Sequence, residues 1–302
     1  MMQRNYSIDI FKLVLSFFVI GLHLHFFEDF NQKIGYFFNQ GVFRSAVPIF
    51  LLINGYYFEK INNISQYKKW LLRILFLYGF WMLFYTPLWV SKNFNLNILT
   101  LFKGYFHLWY IIGIAYSSIL LYKIRNCSLR SIFLITILLY LIGGLLQYLH
   151  AYQVIQIPNF YYCNFLFFCL PFFMMGFIIR KLEQKKEFKN NNIYLLISTS
   201  LFLTEVGLNL KFNNFKVGFD ILFSFLFLCP ILFIAVKKIK SPIVLPKMAL
   251  VSSAVYFIHP FVFLVIQHFF QLNSIILVIL TIGISCLLSL PLLVINKRIK
   301  IL

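Results

Sequence analysis

The chain has 302 residues, of which 61% are hydrophobic and only 12% charged, and its formal net charge is +19. Soluble domains carry about one quarter charged residues, so this composition excludes a soluble protein and points to a polytopic membrane protein. The excess of Lys and Arg fits loops that hold a membrane topology; no basic domain outside the apolar segments is there to grip a duplex, so nucleic acid is not an expected partner.

A helix needs about 20 apolar residues to cross a bilayer. Windows of that kind fall near 8–27, 42–58, 70–91, 107–123, 130–147, 161–180, 193–210, 217–236, 248–270 and 274–295. The window at 193–210 is interrupted by Thr204 and Glu205. The longest polar links lie near 28–41, 92–106 and 181–192, and no repeat or low-complexity tract is visible. The expected fold is therefore an all-α polytopic membrane protein, a bundle of about ten transmembrane helices forming a single membrane-embedded domain over 1–302. With the N-terminus inside, 21 of the 27 Lys and Arg residues fall on the inner side and six on the outer side. That bias predicts that both termini are cytoplasmic. Arg4 before the first apolar run resembles a signal sequence, but no small-x-small cleavage site follows, which predicts a retained first helix.

The first window carries ionisable groups inside its apolar run. Polar groups at membrane depth are costly and usually line a cavity or a path. At about 100° per residue, Asp9, Lys12 and Ser16 fall on the same helix face as His23, and His25 points the other way. This stripe predicts a hydrated groove within the bundle. His23 lies about 7 Å outward of the helix midpoint, and Lys12 lies about 16 Å from it along the axis. Arg44 comes at a similar outer depth in the second span. His107 opens the fourth span on the outer side, Glu205 and Asp220 lie in the outer halves of the seventh and eighth, and His259 is near mid-depth in the ninth. Lys12, Lys68, Lys69 and Arg73 fall at or near the inner face. The picture is a basic inner mouth below a histidine-containing outer chamber. Trp109 and Tyr110 read as an interfacial aromatic belt beside His107. Arg44 needs a partner at that depth, and Glu205 and Asp220 both have compatible positions.

Cys127, Cys163, Cys169, Cys229 and Cys286 are odd in number and include no CxxC pair, so they read as small buried side chains. No zinc spacing, Ser-His-Asp order or phosphate-cradling glycine loop is visible, and no metal is expected. Asn54-Gly55 reads as a place where two helices approach closely.

Five stretches together carry a resemblance. They are Lys12 with His23; Arg44-Ser-Ala-Val-Pro48 running on to Asn54-Gly55-Tyr56; Lys68-Lys69-Trp-Leu-Leu-Arg73; His107-Leu-Trp109-Tyr110; and Ser252-Ser253-Ala-Val-Tyr256-Phe-Ile-His259-Pro260. In this order the chain resembles the acyltransferase-3 family of integral-membrane acyltransferases over nearly its whole length. It departs from the family pattern in having Lys12 for the commoner arginine, Asn54 for a serine, and Trp70 where a second basic residue stands. The resemblance implies a multi-pass plasma-membrane enzyme that moves an acetyl group from cytoplasmic acetyl-CoA to a hydroxyl of a surface polysaccharide or lipid-linked glycan. It implies His23 as base or transient acyl carrier, with Arg44 and His259 beside it. Lys12, Lys69 and Arg73 are expected on the CoA phosphates, and His107, Trp109, Glu205 and Asp220 on the acceptor. Partners would be acyl-CoA, the glycan and membrane lipid. A transporter or flippase for a glycan or small solute is the competing reading, since it too has polar groups inside a bundle but has no need of a CoA site.

Overall fold

The computed structural model describes residues 5–185, 192–213, 218–239, 241 and 245–302. Arg4, Lys186, Lys189, Lys216 and Lys240, which count toward the charge bias, lie outside the described residues, as does Val217 at the start of the predicted eighth span. Helices make up the regular structure, with no strand among the described residues. They are α1 Tyr6–His23, α2 Gln32–Asn39, α3 Ala46–Phe58, α4 Ile64–Phe84, α5 Thr86–Trp89, α6 Phe94–Lys103, α7 Trp109–Ile124, α8 Leu129–Ala151, α9 Leu170–Glu183, α10 Asn192–Asn213, α11 Phe225–Lys238, α12 Met248–Phe269 and α13 Ser274–Arg298.

Helix starts are written in the sequence as asparagines. The side chains of Asn5, Asn31, Asn63, Asn93 and Asn273 each accept from a backbone N–H in the first turn of the helix that follows. Such a cap satisfies one of the donors a helix leaves unpaired at its N-terminus. Two of these caps begin α2 and α6, which lie inside the polar links at 28–41 and 92–106.

Among the described residues, eight helices are long and apolar enough to cross a membrane. Two of the ten predicted spans do not qualify. Helix α4 starts earlier than expected and takes in Lys68, Lys69 and Arg73, while α11 has 14 residues. The predicted first span also stops short, because α1 ends at His23 and the chain turns through His25 and Phe27, both at positive φ.

The eighth window departs furthest from a helix. Residues 218–224 run irregularly, with Phe219, Ile221 and Leu222 fully buried, before α11 begins. Non-helical backbone at membrane depth is tolerated only where its polar groups are satisfied inside the protein. Here side chains satisfy them. Gln147 Oε1 accepts from Asp220 N and Ile221 N, and Gln147 Nε2 donates to Ile221 O. Tyr140 OH donates to Leu222 O, and Glu205 accepts from Phe223 N and Ser224 N. Each buried group left unpaired costs about 1–3 kcal/mol. Gln147→Leu is therefore expected to destabilise the fold by several kcal/mol, read as a fall in the unfolding midpoint of the solubilised protein.

Helices α3 and α9 approach each other closely. A Cβ built on Gly55 would lie 1.8 Å from the Phe173 carbonyl oxygen, and one on Gly176 would lie 2.0 Å from the Leu52 carbonyl oxygen. Small residues at such crossings let backbones approach within a membrane, as Asn54-Gly55 suggested. Helix α1 packs on α12, where Ser16 Oγ lies 2.9 Å from Ser252 Oγ. The polar stripe of α1 is thus closed at its middle, and does not form one continuous groove.

Candidate active site

Three histidines from distant parts of the chain converge. His23 is the last residue of α1, His107 lies in a 3₁₀ turn, Phe106–Leu108, that opens α7, and His259 lies within α12. The rings of His23 and His259 are stacked with centroids 5.6 Å apart, and those of His107 and His259 meet edge to face at 5.3 Å. His107 and His259 are buried and His23 is partly exposed. His23 is thus the least buried ring of the three.

The orientation of His259 follows from the residue after it. Pro260 lacks an N–H, so it cannot donate to the Tyr256 carbonyl four residues back as an ordinary helix residue would. His259 Nδ1 lies 2.7 Å from that carbonyl. A carbonyl only accepts, so Nδ1 carries the proton and Nε2 presents its lone pair. Among the described residues Nε2 of His259 and both ring nitrogens of His107 have no hydrogen-bond partner. Buried polar atoms are rarely left so, and these three lie in one cluster.

Tyr256 stands between this cluster and the Lys12 side. Its ring lies 5.4 Å from that of His107 and 6.1 Å from that of His259, and its hydroxyl donates to the His107 carbonyl at 2.7 Å. On the other side Tyr256 helps wall a cavity of about 140 Å³ together with Lys12, Asn54, Tyr110, Ser252 and Ser253. Lys69 and Arg73 do not enter this wall. Both are exposed on α4, and Arg73 Nη2 donates to the Leu302 carbonyl at 3.2 Å.

Arg44 forms an ion pair with Asp220, which resolves the choice the sequence left open. Its Nη2 also donates to Gln40 Oε1 at 3.0 Å and its Nε to the Asn39 carbonyl at 3.2 Å. Three of the five guanidinium N–H groups are thus taken by protein partners. Glu205 lies elsewhere, receiving Tyr148 OH at 2.5 Å and the backbone N–H groups that precede α11. The pair is partly shielded, with 20% and 17% of the two side chains exposed, so removing one member leaves a poorly solvated charge behind. Arg44→Leu should therefore destabilise the protein more than Arg44→Leu combined with Asp220→Leu, measured as a double-mutant cycle in unfolding midpoints.

A second and larger cavity, of about 570 Å³, opens beside the cluster. Trp109 and Asp220 contribute to its wall, as does Phe106, whose ring lies 4.3 Å from that of His23. Phe106 has φ +46, a left-handed conformation that a bulky residue adopts at a cost. Neither the position of Phe106 nor the irregular segment that delivers Asp220 has a signature in hydropathy. Among the described residues no three His, Cys, Asp or Glu side chains are arranged to hold a metal ion.

A family model described as an acyltransferase domain, Acyl_transf_3, matches residues 5–294. The chain belongs to the acyltransferase-3 family. The five stretches that carry the resemblance are thus parts of one family-wide match, and this acyltransferase-3 protein brings three of them, on α1, α7 and α12, to a single point. Among curated proteins it is similar to an amino-acid racemase of Enterococcus faecalis, 24% identical over 340 aligned positions that cover 100% of this chain and 48% of the relative. A serine/alanine racemase of Enterococcus gallinarum is 25% identical over 330 positions, covering 94% of this chain and 46% of the relative. The chain spans about half the length of the curated relatives it matches. No solved structure matches significantly.

Proposed function

We propose that this acyltransferase-3 family protein is a plasma-membrane O-acyltransferase that moves an acetyl group from cytoplasmic acetyl-CoA to a hydroxyl of a surface polysaccharide or lipid-linked glycan. The observation that carries the reading is the meeting of His23, His107 and His259 on one side of Tyr256, with the Lys12 cavity on the other. A donor would enter from the Lys12 side, held by Lys12 at its phosphates, and reach Tyr256 with its thioester. The acceptor would come from the opposite side. The Lys and Arg bias supports both termini being cytoplasmic.

In this reading His23 removes the proton of the acceptor hydroxyl as its oxygen attacks the thioester carbonyl. The carbon–sulfur bond then breaks, and the CoA thiolate leaves and takes up the proton that His23 holds. His259, with Nε2 unprotonated and its ring stacked on His23, positions the base. Arg44 acts through Asp220 and does not reach the reacting atoms. Lys69 and Arg73 fit the CoA site less well than Lys12, since they stand outside the cavity wall. The racemase activity named for the two relatives stays with those longer proteins.

Purified protein in nanodiscs, given radiolabelled acetyl-CoA and cell-envelope glycan, tests the proposal. Label is expected in the glycan with wild type and not with His23→Ala. Glycan that crosses the bilayer without gaining label would make the protein a transporter. Lys12→Ala is expected to raise the KM for acetyl-CoA about tenfold, the loss of one phosphate contact of about 1.4 kcal/mol. An unchanged KM would remove Lys12 from the donor site.

A further inference from the structure

A third cavity, of about 490 Å³, is walled by α8, α10 and the start of α11, and shares no wall residue with the other two. Its size is typical of small-molecule sites. Tyr148, Tyr152, Phe212, Phe223 and Phe227 line it, so much of the wall is aromatic. Glu205 stands in the same wall. Its Oε1 accepts from Tyr148 OH at 2.5 Å and from Phe223 N at 2.7 Å, and its Oε2 accepts from Ser224 N at 2.8 Å. All of these bonds are accepted, as by an ionised carboxylate, and Oε2 keeps a lone pair to spare. Among the described residues Glu205 has no ion-pair partner. Arg44 is committed to Asp220. Lys211, on the same helix as Glu205, has its Nζ 5.5 Å from the Phe212 ring centroid and stands outside the wall. A carboxylate shielded from water without a counter-charge is costly. Ser224 in the same wall is also unanswered: it is 5% exposed, and its Oγ has no hydrogen-bond partner among the described residues.

These features select the charge of an occupant. An anion would meet the carboxylate, and a plain hydrocarbon would fill the aromatic wall but leave Glu205 uncompensated. A cation on an apolar body answers both. Aromatic faces attract cations through the ring quadrupole, and an ammonium N–H can donate to Glu205 Oε2 and to Ser224 Oγ. Leu201, Leu208 and Phe227 belong to the wall and are also exposed on the outside of the bundle, so the cavity opens toward lipid. We infer that this cavity binds the ammonium head of a membrane amphiphile, a primary amine on a hydrocarbon chain, paired with Glu205 and seated against the aromatic wall. The site needs neither an acyl donor nor an acceptor and stands or falls apart from the acyl-transfer reading.

The protein in phosphatidylglycerol nanodiscs is irradiated with a dodecylamine that carries a diazirine in its chain, and labelled peptides are mapped by mass spectrometry. Label on the peptides holding Tyr152, Leu208 and Phe227 is counted relative to label on α13. It is expected to saturate, and the diazirine alcohol of the same chain should need about tenfold more for the same yield. Unlabelled decylammonium should compete, while decanol, decanoate and the chainless ethylammonium should not. In Glu205→Gln the preference for amine over alcohol is expected to fall about tenfold. Glu205 also holds the backbone ahead of α11, so two gentler variants carry the same test should that one fail to fold. They are Ser224→Ala, whose lost hydroxyl makes no described hydrogen bond, and Tyr152→Leu at an exposed wall position. Each should lower the preference about threefold. Equal labelling by amine and alcohol would make this an ordinary lipid-filled groove and overturn the assignment. So would a preference that every folded variant keeps in full, or competition by decanoate or ethylammonium as strong as by decylammonium.

Discussion

His23→Ala is expected to lower acyl transfer by about 10²–10⁴-fold, the usual contribution of a positioned general base. The same variant should unfold close to the wild-type midpoint, because His23 is partly exposed at the end of its helix. His25→Ala is the matched control. That ring is exposed, lies two residues away and pairs with Glu28 at 3.1 Å, so its loss should leave transfer unchanged. His259→Ala should also lose transfer, but through the geometry of His23. His259→Asn, which keeps a short polar group able to donate to the Tyr256 carbonyl, is expected to recover part of the rate. Equal transfer by wild type and His23→Ala would remove the imidazole from the chemistry, whatever the other histidines do.

Gly55→Ala and Gly176→Ala are each expected to prevent or severely weaken folding. Both new methyl groups would fall within about 2 Å of a backbone carbonyl on the facing helix, far inside contact distance. Backbone cannot rotate away as a side chain can, so relief requires that α3 and α9 move apart along their whole length. Overpacking of even ordinary core sites costs about 1–3 kcal/mol, and this site lacks the side-chain freedom that keeps the cost that low. Gly79→Ala and Gly283→Ala are the controls. Nothing lies within 4 Å of a Cβ at either position, and alanine is the better helix former there. The unfolding midpoint in detergent should fall sharply for the first pair and hold or rise for the second. A small effect at Gly55 and Gly176 would mean that α3 and α9 do not touch as described.

The sequence carries the spans clearly where long apolar runs are backed by local helix signals. Helices α7, α8, α12 and α13 start and end within a few residues of the predicted windows. Hydropathy fails where polar backbone is satisfied by side chains far away in the chain. Residues 218–224 look as apolar as any span, yet Gln147 and Glu205 hold them out of a helix, and neither is near them in sequence. It also fails in the links, where Asn31 and Asn93 announce helices that a search for apolar windows passes over. Of the site, the Lys12–His23 register was readable because chemistry restricts ionisable residues at depth, and the motifs around His107 and His259 through the family resemblance. Their mutual contact was not, because α1, α7 and α12 meet through packing that no local pattern encodes. Arg44 visibly needed a counter-charge, but both Glu205 and Asp220 answered to it by depth alone. Phe106 carries no local mark of any kind.

Pro260 does more than interrupt the hydrogen-bond ladder of α12. By withholding one amide hydrogen it turns a main-chain oxygen into a fixed docking point for the neighbouring ring, and so decides which nitrogen of that ring is bare. Converting it to alanine would repair the ladder of α12 and at the same time release His259 to take either tautomer. A helix made more regular in this way would have a less well-defined site, and nitrogen-15 spectra of the labelled ring would reveal the change even if every backbone atom stayed in place.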